Sequence, residues 1–455
     1  MFVPELLSPA GTLKAMRYAF AYGADAVYAG QPRYSLRVRN NEFSIDALQQ
    51  GIDEAHSLGK KLYVVSNISP HNGKVRTYLR DMAPVIEMKP DALIMSDPGL
   101  IMLVREQWPD TPIHLSVQAN AINFATVRFW QKQGVSRVIL SRELSLEEIA
   151  EIRAEVPEME LEVFVHGALC MAYSGRCLLS GYINKRDPNQ GTCTNACRWK
   201  YTAHEAHENS NGDAVAFDPK VEARIDPTLG IGAPTSKLYL LEEENRPGEL
   251  MPTFEDEHGT YIMNSRDLRA IQHIEQLTRL GVHSLKIEGR TKSFYYVART
   301  AQTYRQAIDD AVNGKSFNPA LLRDLEHLAH RGYTEGFLRR HTHDAYQHYD
   351  AGSSSSSVSQ FVGEVKGQRE DGMVEIEVKN RFAIGQPLQL MTTRGNIDLR
   401  LDHMENAEGT AMMVAPGAGY TVYAHLPDGV APEQALLVRL FDEADAPRTA
   451  AGGCA

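Results

Sequence analysis

Cysteine is the residue type that most narrows the chemistry open to this chain. Four of its five cysteines, Cys170, Cys177, Cys193 and Cys197, fall within 28 residues of a 455-residue sequence, spaced C-x6-C-x15-C-x3-C. Closing three short loops costs little chain entropy compared with gathering scattered residues, so the window reads as a metal site. Disulfides fit poorly. The N-terminus lacks the basic start and apolar run of a signal peptide, and no stretch approaches about 18 uninterrupted apolar residues. These features predict a cytoplasmic protein with no membrane partner, in a compartment where thiols stay reduced. With 43% hydrophobic residues the chain can bury a core without staples. Structural zinc usually pairs cysteines two to four residues apart on each of two knuckles, and only Cys193 and Cys197 fit. An iron-sulfur cluster needs four soft thiolates and tolerates varied spacing, so it is favoured. His166, four residues before Cys170, reads equally as a substitute ligand, a core histidine or a site residue.

The elements that must position these sulfurs follow from a repeating pattern in the first three hundred residues. Short apolar runs recur at Leu6–Leu7, 23–30, Leu62–Val65, 90–97, Ile113–Val117, 134–141, Leu161–Val165 and 281–288, and the segments between them carry helical periodicity, as at Leu146, Ile149 and Ile152. Apolar strands without alternation suit parallel strands buried on both faces. Eight strand and helix units predict a (β/α)8 TIM-like barrel over residues 1–315, with its chemistry at the carboxyl ends of the strands. The cysteine window follows the seventh strand and so belongs to that end. Polar residues there include Asn67, Ser96, Asp97, Asn120, Ser141, Arg142, His166, Lys286, Glu288 and Arg290, many of which are equally well read as caps.

From about 201 to 261 the rhythm breaks into a polar, proline-containing stretch that reads as an insertion over the active face after strand seven. Ser265 suggests the N-cap of a resuming helix. Residues 316–350 read as a helical extension and the serine-rich 351–360 as a linker. Alternation over 361–441 predicts a small C-terminal antiparallel β-barrel. The remainder, 442–455, reads as a disordered tail in which Cys454 is not counted as a ligand.

A formal net charge of -11 argues against wholesale electrostatic binding of nucleic acid, yet basic islands stand out. Arg33, Arg37 and Arg39 have no acid among them. Arg176, Lys185, Arg186, Arg198 and Lys200 surround the cysteines, and Lys286, Arg290, Lys292 and Arg299 face only Glu288. Such islands beside loops suit an anionic ligand.

Written out, Glu162-Val-Phe-Val-His-Gly-Ala-Leu-Cys170-Met-Ala-Tyr-Ser-Gly-Arg-Cys177-Leu-Leu-Ser180 is similar to the signature of the collagenase-like peptidase family at every specified position. The resemblance extends through the barrel, insertion and C-terminal domain, and the run from Gly181 to Trp199 resembles a branch that modifies tRNA. What the resemblance implies is a [4Fe-4S] cluster on Cys170, Cys177, Cys193 and Cys197, and oxygen-independent hydroxylation of the wobble uridine of certain tRNAs to 5-hydroxyuridine. It also implies a link to prephenate, as a co-substrate or as a signal. Expected partners are tRNA and an electron donor protein. Arg37, Arg39, Arg290 and Lys292 are expected to hold phosphates or carboxylates, because a guanidinium pairs with either in a bidentate manner. His166 and Glu288 are expected proton carriers by position.

Two other readings stay open: a metal-stabilised binding or scaffold protein, and a collagenase-like peptidase. The second lacks familiar constellations. His204-Glu-Ala-His207 is one residue shorter than the zinc-peptidase His-Glu-x-x-His, and Gly-x-Ser-x-Gly is absent.

Overall fold

A computed structural model describes residues 2–36, 43–169, 173–174, 176–177, 189, 266–330, 332–339, 359–427 and 432–441, and the backbone of four strands between 201 and 255. Strands β1 (Glu5–Ala10), β2 (Ala26–Gly30), β3 (Lys61–Ser66), β4 (Ala92–Met95), β5 (Ile113–Leu115), β6 (Arg137–Ile139) and β7 (Glu160–Ala168) pair in parallel in chain order. The ring closes through β13 (Ser284–Ile287), which pairs in parallel with both β1 and β7. These are the eight apolar runs of the sequence, and nearly every residue in them is buried, as strands covered on both faces require.

Helices α1 (Leu13–Ala21), α2 (Ile45–Ser57), α3 (Asn72–Val75), α4 (Tyr78–Glu87), α5 (Pro98–Gln107), α6 (Phe124–Lys132) and α7 (Leu146–Glu155) fill the connections. The helices α8 (Ile274–Arg279), α9 (Phe294–Val312) and α10 (Ala320–Glu326) follow the insertion. Side chains of Thr12, Ser44, Asp97, Asn123, Ser145 and Ser293 accept the first free amides of α1, α2, α5, α6, α7 and α9. Asp97 is therefore a cap.

The barrel interior is not wholly apolar. Buried Arg137, Glu162 and Lys286 form a charged cluster with half-buried Glu5. Arg137 donates to Glu5 at 2.6 Å and Glu162 at 3.3 Å, and the Lys286 ammonium reaches Glu162 at 2.7 Å. Burial works against the Arg137 guanidinium, but Glu5 and Glu162 outweigh it and hold it charged. Two carboxylates matched to two cations satisfy the condition under which buried charge is tolerated.

Three readings of the sequence change. The 201–261 insertion contains a four-stranded antiparallel sheet in the order β11 (Leu250–Glu255), β10 (Lys237–Glu243), β8 (Tyr201–Glu208), β9 (Ala214–Ala216), which its polar composition hid. Ser265 lies outside the described residues, and the chain just beyond it is a strand, β12 (Asp267–Arg269), antiparallel to β7; helix resumes only after it. The 316–350 segment leaves helix at Glu326 and forms a two-residue strand, β14 (Tyr333–Thr334), parallel to β12. Tertiary pairing at the open edge of β12 overrides local helical character there.

The C-terminal domain starts within the expected linker, at Ser359. Its six-stranded antiparallel sheet runs β19 (Gly395–Leu399), β18 (Leu388–Thr392), β22 (Leu436–Leu440), β15 (Ser359–Gln368), β16 (Val374–Val378), β21 (Thr421–Ala424), and β17 (Phe382–Ala383) pairs with β20 (Val414–Ala415). Its own core includes Val362, Ile376, Leu390 and Leu437. Met391, Leu436 and Val438 instead join the barrel core. Tyr22 on the barrel donates to the carbonyls of Met391 and Gln434, and Lys14 and Tyr18 engage Glu364. Among the described residues no helix is long and apolar enough to cross a membrane.

Candidate active site at the carboxyl mouth of the barrel

The loops leaving the carboxyl ends of the strands are fastened to one another. Asn67, just after β3, accepts from the Leu36 amide of the β2 loop at 3.1 Å and donates to Ser116 after β5. Ser96, after β4, donates to the Asn67 carbonyl at 3.0 Å. Arg142, after β6, donates to the Ala168 carbonyl at 2.8 Å, two residues before Cys170, and its guanidinium lies 3.9 Å from the centre of the Phe164 ring.

The cysteine-bearing segment is fastened to this rim at two described points, one of which also holds Cys177. Asn120, in the left-handed conformation after β5, donates to the Ser174 carbonyl at 2.7 Å. The Ser69 amide, after β3, donates to the Asn189 carbonyl at 3.1 Å, and Asn189 Nδ2 donates to the Cys177 carbonyl at 3.2 Å. Cys177 is half-buried. Cys170, Cys193 and Cys197 lie outside the described residues, as do Arg37 and Arg39.

Glu288 stands at the end of β13. Tyr28 donates to its Oε2 at 3.0 Å and to the Ile287 carbonyl at 2.9 Å. Burial, reinforced by the Glu288 charge, pushes the Tyr28 phenol well above its ordinary pKa and keeps it a donor. The Glu288 backbone is clamped as well: its amide donates to the His166 carbonyl at 2.9 Å and its carbonyl accepts from Tyr296 at 2.7 Å. Gly167 makes this approach possible. It has φ +104°, and a Cβ there would collide with the Glu288 carbonyl oxygen.

His166 is brought next to Glu288 through the backbone, but its imidazole faces the helix layer. It is enclosed by the rings of Tyr296, Tyr304 and Tyr333, and its Nδ1 lies 3.3 Å from the Tyr304 hydroxyl. Burial, and secondarily Arg269, Lys292 and His330, lower its pKa to about 3, so the ring is neutral at physiological pH.

Arg290 is buried, donates to the Leu36 carbonyl at 2.8 Å, and has its guanidinium 5.7 Å from the Tyr28 ring. It thus joins the eighth loop to the residue preceding Arg37. Lys286 sits deeper, its ammonium 4.3 Å from the centre of the Tyr28 ring and 5.4 Å from that of Phe164. Burial lowers its pKa, and Glu162 offsets this only in part. Lys292 is further out, 5.5 Å from the Tyr296 ring, and lines a cavity of about 340 Å³ with Tyr295, His327 and Phe361 between barrel and C-terminal domain.

Sequence reasoning missed Tyr28 and Phe164, whose aromatic faces organise Arg142, Lys286 and Arg290. Both read as ordinary strand residues; their only signal was an aromatic within an otherwise aliphatic run. His204 and His207 lie on strand β8, so the helical spacing that pairs two zinc-binding imidazoles does not apply to them.

The fold and site define a parallel (β/α)8 barrel with Ser174 and Asn189, from the stretch that holds the cysteines, fastened to the rim of its carboxyl mouth, and with a β domain packed on its side. The chain belongs to peptidase family U32: the family domain matches residues 11–348 and the family's C-terminal domain matches residues 358–439. The resemblance drawn from the cysteine signature is thereby borne out. The chain is 69% identical over 442 residues to the tRNA hydroxylation protein P of Escherichia coli (strain K12), covering 97% of this chain and 98% of that protein. It is 65% identical over 443 residues to the tRNA hydroxylation protein P of Haemophilus influenzae, covering 96% of each. The 23S rRNA 5-hydroxycytidine C2501 synthase of Escherichia coli (strain K12) is 26% identical over 421 residues, covering 90% of this chain and 56% of that protein.

Proposed function

We propose that this chain is a tRNA-modifying enzyme that hydroxylates the wobble uridine to 5-hydroxyuridine without molecular oxygen. It does so with a [4Fe-4S] cluster on Cys170, Cys177, Cys193 and Cys197 and with prephenate as co-substrate. The observation that carries the reading is the fastening of Ser174, Cys177 and Asn189 to loops at the carboxyl mouth, where barrels of this architecture do their chemistry. The substrate class is supported by the near full-length similarity to proteins named for tRNA hydroxylation.

The donor set suits the group, because four soft thiolates in one short window match iron-sulfur ligation. Replacing C5–H of uracil by C5–OH is a two-electron oxidation that also requires an oxygen atom, and no side chain supplies either. The co-substrate would have to supply the oxygen atom and be reduced by the two electrons that the base loses, and the cluster, when bound, would bind that co-substrate or carry those electrons to it. Glu288, oriented by the Tyr28 hydroxyl, accepts the proton lost from the base. His166, neutral and enclosed, acts as a positioning residue for Glu288 through its carbonyl. Arg290 and Lys292, with Arg37 and Arg39 next in chain to Leu36, hold carboxylate or phosphate groups.

The test is anaerobic purification with iron counting and electron paramagnetic resonance on the protein and on each of the four cysteine-to-alanine variants. It is paired with nucleoside mass spectrometry of tRNA from cells lacking the gene. A brown protein with about four irons and loss of 5-hydroxyuridine in the deletion are expected. A colourless zinc protein that still supports hydroxylation refutes the cluster, and unchanged 5-hydroxyuridine in the deletion refutes the function.

A further inference from the structure

The loops after β2 and β3 lie side by side on the rim because their strands are parallel neighbours, with Gly30 opposite Val65. Tyr34, fully buried, welds them together. Its hydroxyl donates to Asp81 at 2.7 Å and lies 2.9 Å from Thr77 Oγ1, its carbonyl accepts from the Ile68 amide, and its ring meets Tyr78 edge-on at 4.9 Å. The resulting surface comprises residues 31–36 and 68–81. It carries Arg33, Lys74, Arg76 and Arg80 against a single acid, Asp81, a net +3 (four minus one) on a chain whose total is -11.

Asp81 is already engaged by Arg33 and Arg80 as well as Tyr34. The excess charge therefore falls on Lys74 and Arg76, which have no other acid in either segment. Partial burial, and then the nearby Arg33 charge, hold the Lys74 ammonium below its ordinary pKa. Cations kept this close are relieved by a bound anion. Arg33, Arg76 and Arg80 are exposed, and none of the large exposed apolar side chains falls within the two segments. The surface abuts the cysteine segment: Ser69 donates to the Asn189 carbonyl, and Asn189 donates to that of Cys177.

We infer that this rim, through Arg33, Lys74, Arg76 and Arg80, binds the phosphodiester backbone of the RNA substrate next to the mouth and so sets where along the strand a base can enter. The inference rests on the tRNA reading above and deepens it. A polyanion is favoured over an anionic bilayer because membrane-surface sites combine basic residues with apolar side chains that insert, and this patch has none exposed. Phosphate contacts position without reading sequence, so the patch orients the RNA and leaves base choice to the mouth.

The experiment uses the full chain, purified anaerobically, with the triple variant Lys74→Gln/Arg76→Gln/Arg80→Gln. A control, Lys89→Gln/Lys132→Gln, neutralises lysines that precede β4 and β6 at the opposite end of the barrel. Binding of a tRNA transcript is measured by fluorescence anisotropy across a potassium chloride series, with circular dichroism melting to verify folding. Loss of three phosphate contacts is expected to reduce the slope of log K against log salt by about 2, at roughly 0.7 per contact for single-stranded RNA. It is also expected to raise KM for tRNA with kcat unchanged; the control leaves both as in wild type. If the triple variant melts early, Arg76→Gln alone is expected to lower the slope by about 0.7. A folded triple variant with wild-type slope and KM overturns the patch and leaves the tRNA reading intact. A wild-type protein that neither binds nor modifies tRNA overturns both. Unchanged tRNA binding with lost binding to phosphatidylserine vesicles overturns the RNA assignment in favour of a membrane.

Discussion

Substituting Gly167 by alanine should damage the barrel and the mouth together. The residue has φ +104°, a conformation that costs an L-residue about 1–2 kcal/mol. Its new Cβ would overlap the Glu288 carbonyl oxygen and lie 2.9 Å from Glu288 Cβ. That carbonyl cannot simply retreat, because Tyr296 donates to it and the adjoining amide is bonded to His166. Overpacking against a held backbone adds about 1–3 kcal/mol, for a total of about 2–5 kcal/mol. Gly59→Ala isolates the first contribution: Gly59 has φ +64° with nothing within 4 Å of a built Cβ, so only the conformational cost applies. Equilibrium urea unfolding, followed through Trp108 at the end of α5 and Trp130 on α6, gives the comparison. Displacing Glu288 from the Tyr28 hydroxyl should also lower tRNA hydroxylation in the Gly167 variant but not in the Gly59 variant. Equal destabilisation by the two substitutions would refute the clamp described for Glu288.

Glu162→Gln should cost about 3–5 kcal/mol in chemical denaturation, since it takes from the buried Lys286 ammonium the carboxylate that pairs with it at 2.7 Å, while Arg137 keeps Glu5 and Glu160. Adding Lys286→Met should recover part of that loss in a double-mutant cycle, and strict additivity would show that the two groups are not coupled. His166 gives a pH signature. Its folded pKa of about 3 lies below the unfolded value of 6.5, so its contribution is complete above about pH 6.5 and is lost as pH falls toward 3. Between pH 6.5 and 5 the slope attributable to it approaches 1.4 kcal/mol per unit, or about 2 kcal/mol in all. Melting of His166→Phe should be less acid-sensitive than wild type over that interval; parallel curves would place the ring in a solvated site.

The barrel was legible because each of its strands is buried on both faces and so leaves an uninterrupted apolar run, as at Leu62–Val65 and Leu161–Val165. Strands β12 and β14 were not, since three and two residues carry no periodicity and exist only because β7 extends past the ring to Ala168 and offers an edge. The four strands of the insertion were hidden by polar residues. At the mouth, Cys177 and Glu288 could be located from their place after the seventh and eighth strands; Cys170, Cys193 and Cys197 lie outside the described residues. Lys74, Arg76 and Arg80 could not, because what sets them beside Arg33 is the pairing of β2 with β3, which lies across about forty residues of sequence. Nor could the direction of the His166 ring, which depends on the irregular register between β7 and β13 at that residue.

Each described fastening of the cysteine segment to the barrel rim uses the segment's main-chain carbonyls, at Ser174 and Asn189, and Asn189 in turn holds the Cys177 carbonyl. No thiol is spent on attachment at these points. For the cluster proposed above, metal loading and berthing are separate events: the attachments at Ser174 and Asn189 are neither made nor broken by what the sulfurs bind, so refilling an emptied site would call for no rebuilding at these points.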